Sequence, residues 1–208
     1  MTALLNVLRP VLELAALVLG VVNGTYILRH YRRDRPRIEV SFIHPDVYQW
    51  WFRLPPREDQ GHPAWRFGFL LYIGISNNGL GADTPTSWHL HVPQRTRRRA
   101  ELKPINVSMP TFQLPTGDGK VFPVLGQVDP IYRGDLCVEP GRSISGMAYY
   151  HLGVWGDAAW DPVIRDGRIH AELAVGTVLG QRVRAPVTLT EVPLAKVKEM
   201  IPEIEKLP

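Results

Sequence analysis

At 208 residues, 45% hydrophobic and 21% charged, the chain is not a disordered protein, and its single cysteine, Cys137, excludes an intramolecular disulfide. The net charge of +4 hints at nucleic acid only until it is located: residues 29–37 alone carry +4, while residues 38–208 hold eighteen basic and eighteen acidic side chains. Excess confined to one short segment is no DNA-binding face, so no nucleic-acid partner is expected.

Residues 10–28 read PVLELAALVLGVVNGTYIL. Nineteen helical residues span about 28 Å, close to the roughly 30 Å of a bilayer's hydrocarbon, which predicts a transmembrane helix over residues 1–28. Glu13 is the one charge in this stretch, four residues after Arg9. A buried helix of a soluble domain is the alternative, because the uncharged run from Leu14 to Leu28 has only fifteen residues. Arg29, Arg32, Arg33, Arg35 and Arg37 then make residues 29–37 a basic juxtamembrane linker. Positive charge after an apolar core, with no small-residue cleavage pattern, is the reverse of a signal peptide. Arginine-rich flanks stay cytoplasmic, so the expectation is a single-pass inner-membrane protein, N-terminus out and the remainder in the cytoplasm. Ala16, Gly20 and Gly24 recur every four residues and predict close pairing of two such helices, hence a homodimer.

From Ile38 the period becomes two, and residues 38–192 read as a β domain. Ile38, Val40 and Phe42 alternate with polar neighbours, and "YQWWFRL" (48–54) predicts a second strand. "LPPREDQGHPAW" reads as a proline-bearing loop. "FGFLLYIGI" (67–75), apolar on both faces, predicts a central strand ended by "SNNG". Thr86–Val92 alternates, "QRTRRRAELK" reads as an exposed connection, and "TGDGK" as a hairpin turn. Ser143–Leu152 predicts a strand, and "RIHAELAVGTVLGQRVRAPVTLTEV" two strands joined near Leu179–Gln181. Residues 193–208 predict a short amphipathic helix interrupted by Pro202.

Many short strands with almost no helix predict a mainly β, antiparallel sandwich, with a small β-barrel as the alternative. The runs "LYIGISNNGLGADTPTSWHLHV" and "VEPGRSISGMAYYHL" resemble bacterial immunoglobulin-like domains: a strand ending in Asn-x-Gly, a strand with a tryptophan, and a Pro-Gly turn before an alternating strand. That resemblance implies a binding or scaffolding module rather than an enzyme.

His89 and His91 share one face of a strand, and His170 stands two residues from Glu172, so these histidines are weak metal-ligand candidates; solvated outward residues are the plainer reading. The loop containing Trp155, Asp157, Trp160 and Asp161 offers aromatic rings beside carboxylates, either a sugar platform or a cap on the core. Arg95 and Arg97–Arg99 are candidates for lipid headgroups. No serine-hydrolase, zinc-protease, dinucleotide or phosphate-loop pattern occurs, and no cofactor is expected. The expected function is a non-enzymatic, membrane-anchored module that binds or scaffolds a protein partner. A small-ligand sensor is the alternative, as is an extracytoplasmic carbohydrate-binding module if the topology is reversed.

Overall fold

The structure, a computed structural model, describes residues 2–59, 62–105, 112–113, 121–122, 124–125, 136–156, 158–202 and 204–206. Helix α1 covers Thr2–Arg33, strand β1 Ile38–Phe42, helix α2 Pro45–Tyr48, β2 Trp50–Asp59 and β3 His62–Asn77. There follow β4 Pro85–Pro93, β5 Arg99–Leu102, β6 Phe112–Gln113, β7 Val121–Phe122, β8 Ser143–Trp155, β9 Arg168–Thr177, β10 Arg182–Glu191 and helix α3 Leu194–Met200.

β3 organises the domain because it is apolar on both faces and paired along both edges. One edge takes β8 from Ala64↔Trp155 to Ser76↔Ser143. The other is shared end to end by β2, which pairs Trp50 with Leu70, and β1, which pairs Phe42 with Ile73. From β2 the sheet continues through β10, β9, β4 and β5. β10 runs parallel to β2, with Thr190 opposite Trp50. The sheet is therefore mixed, which corrects the all-antiparallel expectation. β2 and β10 come from opposite ends of the domain, so no hairpin constrains their direction. Beyond β5, Pro104 bridges Tyr150 of β8, and the Ile105 N–H donates to the Tyr149 carbonyl at 2.8 Å. The margins of the sheet thus meet.

Strand alternation sorts the side chains into two cores. Phe67, Phe69, Leu71, Ile73 and Ile75 of β3 face inward with Trp88, Leu90, Tyr150, Leu173 and Leu189. Leu70 faces outward with Phe52 and Tyr149, and α3 covers this second cluster with Val197 and Met200. Gly68 lies under the Phe52 ring, where an added Cβ would come within 2.4 Å of it. α3 ends before Pro202, as the sequence implies, and a 3-10 turn at Ile204–Lys206 completes the cover.

Three further expectations are corrected. The proline-bearing loop is largely strand, because β2 and β3 stay paired out to Asp59↔His62. Pro55 and Pro56 fall in a register shift between Leu54 and Arg57, where the ladder needs no N–H from them. Among the described residues, moreover, no helix is long and apolar enough to cross a membrane, which overturns the single-pass transmembrane helix. α1 has the length, but its uncharged run of fifteen residues covers only about 22 Å and contains Gly20, Asn23, Gly24 and Thr25. The helix also continues to Arg33, so Arg29, Arg32 and Arg33 are helical rather than part of a linker. The "TGDGK" turn lies outside the described residues.

Candidate functional site

The most constructed polar site is the junction between α1 and the β domain. The turn after β3 grips residues 34–37. Fully buried Asn77 accepts the Arg37 N–H at 3.0 Å and the Gly79 N–H at 2.9 Å, and donates to the carbonyls of Gly81 at 2.7 Å and Val138 at 2.9 Å. From β10's side the Gln181 amide donates to the Pro36 carbonyl and accepts the Ile38 N–H at 3.2 Å. Gly79 allows this approach, since a Cβ there would sit 2.3 Å from the Arg35 carbonyl oxygen. The chain is thus fixed where it leaves the helix.

At this junction Tyr26, Arg29, His30, Arg32, Arg33 and Arg37 line a cleft of about 470 Å³. Arg35 is turned away and lies over the Tyr31 ring, 4.4 Å from its centre. Asp34 meets Arg33 at 3.8 Å, with both side chains exposed, a pairing worth at most about 1 kcal/mol. Along α1, Leu14, Leu17, Val18, Leu19, Val21, Val22, Ile27 and Leu28 are all exposed, so no face of residues 14–28 is covered by the described β domain. Ala16 is exposed too, and nothing lies within 4 Å of where a Cβ would stand on Gly20 or Gly24. The Thr25 hydroxyl donates to the Val21 carbonyl and so satisfies itself within the helix.

A second polar region is the outer face of β4, β5, β9 and β10. His89 and Glu101 pair directly, and that hydrogen bond, with the histidine's charge, holds the Glu101 carboxyl below its usual range. Glu172 takes Arg184 at 3.3 Å and Arg99 at 3.7 Å, and His170 Nδ1 meets the Thr188 hydroxyl at 3.1 Å. His89 and His91 line a cleft of about 340 Å³ with Ser87, Glu101, Arg182 and Arg184. Among the described residues, no three metal-type side chains gather.

The loop after β8 is knitted to the turn after β4. The Arg95 N–H donates to the Asp161 carbonyl at 3.1 Å, the Gln94 amide to the Trp160 carbonyl at 2.8 Å, and Arg98 stands 5.7 Å from the Trp160 ring centre. Trp155 is exposed at the end of β8; Asp157 lies outside the described residues. Cys137 is half-buried beside Val138.

Two groups escaped the sequence reading. Arg66 is buried on the outer face of β3, and its Nε donates to His151 Nε2 at 3.3 Å. Burial, and then the Arg66 charge, push the His151 pKa down to about 4. The Asn77–Gln181 clamp was also missed. Its only local trace was an Asn-x-Gly that signals any turn, and its partner segment lies forty residues earlier.

No family model and no curated protein matches the chain. Among solved structures, the structural-genomics target SoR45 is 12% identical over 76% of this chain and 88% of its own, with a TM-score of 0.28. The putative ApaA protein from Bordetella pertussis is 14% identical over 76% and 96%, with a TM-score of 0.29. Likenesses this distant carry no argument about function.

Proposed function

We propose that the protein is a non-enzymatic binding module held at a lipid surface by α1, which presents the β domain to a protein partner on the arginine-bearing side, the inner face of the cytoplasmic membrane. The observation that carries this is the exposure of residues 14–28 of α1 on every side. A helix apolar all round belongs in lipid or a protein core, and eight aliphatic side chains left in water forgo on the order of 10 kcal/mol. Lipid entry does not require crossing: about 22 Å of apolar helix reaches well past one leaflet while the arginines stay at the headgroups. The N-terminus-out orientation depended on a span and is not carried forward.

We infer a flattened, closed barrel rather than an immunoglobulin-like sandwich, supported by the bridge from Pro104 to Tyr150 that joins the margins of the sheet. On its outer face, ionisable groups pair with one another, as His89 with Glu101 and Glu172 with Arg184, an arrangement suited to a polar protein interface. The cleft at His89 and His91 favours a second reading, a small-ligand sensor, which thermal-shift screening against metabolites would separate from the first.

Flotation of the full chain with neutral phosphatidylcholine vesicles tests the anchor. The wild type should rise with the lipid, and a Leu17→Gln, Val21→Gln variant should remain below. A wild type that stays below as a discrete dimer assigns the helix to a second copy, through the Ala16, Gly20, Gly24 stripe, and ends the lipid reading.

A further inference from the structure

The geometry points to the arginine cleft at the end of α1 as a binding site for the phosphate of an anionic phospholipid headgroup, an inference that rests on the lipid reading of α1. Four guanidinium groups, those of Arg29, Arg32, Arg33 and Arg37, line one cleft of about 470 Å³. The only carboxylate in residues 29–37 is Asp34, loosely and openly paired with Arg33 at 3.8 Å. Charges at a helix C-terminus gain from the macrodipole, but that amounts to roughly half a negative charge and leaves most of four positive charges uncompensated. An anion that bridges them relieves the repulsion. Guanidinium groups take phosphate oxygens through paired N–H donors, which makes phosphate a better fit than chloride.

Two further features favour a built site over a loose basic tail. Arg37 is positioned by its own backbone, fixed between Asn77 and the Asn78 N–H, which donates to the Arg37 carbonyl at 2.9 Å. The cleft therefore has one wall on the helix and another on the clamped segment. Its first arginine, Arg29, also follows directly on Leu28, the last of the exposed aliphatic run. With residues 14–28 in lipid, the cleft lies at the depth of the phosphates.

The test is sedimentation of the full chain with phosphatidylcholine vesicles, with and without about a third phosphatidylglycerol. Each arginine near an anionic surface is worth roughly fivefold in partitioning, so four predict an increment of roughly several hundredfold that salt weakens. Arg29→Gln, Arg32→Gln, Arg33→Gln and Arg37→Gln together should abolish the increment and leave binding to neutral vesicles intact. An equal loss of charge at Arg95, Arg97, Arg98 and Arg99, each to Gln, should preserve most of the increment. Equal binding to both vesicle types overturns this inference alone, whereas failure on both overturns the anchor beneath it. Should the two quadruple variants lose the increment equally, the attraction is diffuse charge and no site. Inorganic phosphate supplies the remaining arm: if it raises the melting temperature of the free protein while phosphatidylglycerol adds nothing, the ligand is soluble and the lipid assignment fails.

Discussion

Leu17 in α1 and Phe69 in β3 are both large apolar side chains in regular structure, yet Leu17 is 65% exposed and Phe69 fully buried. The difference lies in what each element can do alone. β3 cannot satisfy its own backbone, so it recruits β1, β2 and β8, and those strands bring the side chains that cover it. α1 closes its hydrogen bonds internally and needs no neighbour for them. Its apolar surface between residues 14 and 28 stays uncovered by the described residues. Stability should therefore reside in the β domain and attachment in the helix, and substitutions can separate the two.

The largest effect should come from the inner core. Phe69→Ala removes a fully buried ring from the most heavily paired strand, and denaturant unfolding should show a loss of about 3–5 kcal/mol. A loss under about 1 kcal/mol would mean that the interior collapses around the gap and that the two regions differ less than their exposure implies. Asn77→Ala comes next. It removes the acceptor of the Arg37 and Gly79 N–H groups and a donor to the Gly81 and Val138 carbonyls, of which Val138 keeps the Asp83 N–H, at a cost of about 2–4 kcal/mol. Faster hydrogen exchange at Arg37 and Ile38 should accompany the loss. Exchange unchanged there would show that Gln181 alone holds the junction.

His151 supplies a pH-dependent difference within the β domain. Its folded pKa of about 4 lies below the ordinary 6.5, so the unfolded chain binds the proton first as pH falls. Stability is then full above about pH 6.5 and declines between 6.5 and 4, by about 2 kcal/mol once partial exposure is allowed for. His151→Gln should flatten this part of the curve. A wild-type curve already flat there would show that Arg66 and burial do not hold the ring neutral.

Much of this division can be read from the residues. The run at 67–75, apolar on both faces, placed the central strand, and the alternation at 169–175 placed another, because a period of two leaves one row to bury. The closure from Pro104 to Tyr150 and the parallel pairing of Thr190 with Trp50 could not be read, since both join segments far apart in sequence. The span was misjudged for a different reason. Counting residues 10–28 by length gave too little weight to Glu13 and to Gly20, Asn23, Gly24 and Thr25, which lower the hydropathy of an already short apolar run. Arg66 left no trace, because a lone arginine in a strand pattern looks outward-facing and solvated until the C-terminal turn that covers it is in place.

The smallest expected effect tests the comparison from the helix side. Leu19→Ala removes a side chain that is 62% exposed and touches no part of the β domain's cores, and alanine is the stronger helix former by a few tenths of a kcal/mol. In lipid-free protein the unfolding free energy should therefore stay within about 0.5 kcal/mol of wild type. Binding to neutral vesicles should weaken severalfold over the same substitution, because about 1–2 kcal/mol of apolar transfer is lost. A fall in stability on the scale of Phe69→Ala would place Leu19 in a core and return α1 to the fold. A change in neither quantity would remove the helix from the attachment.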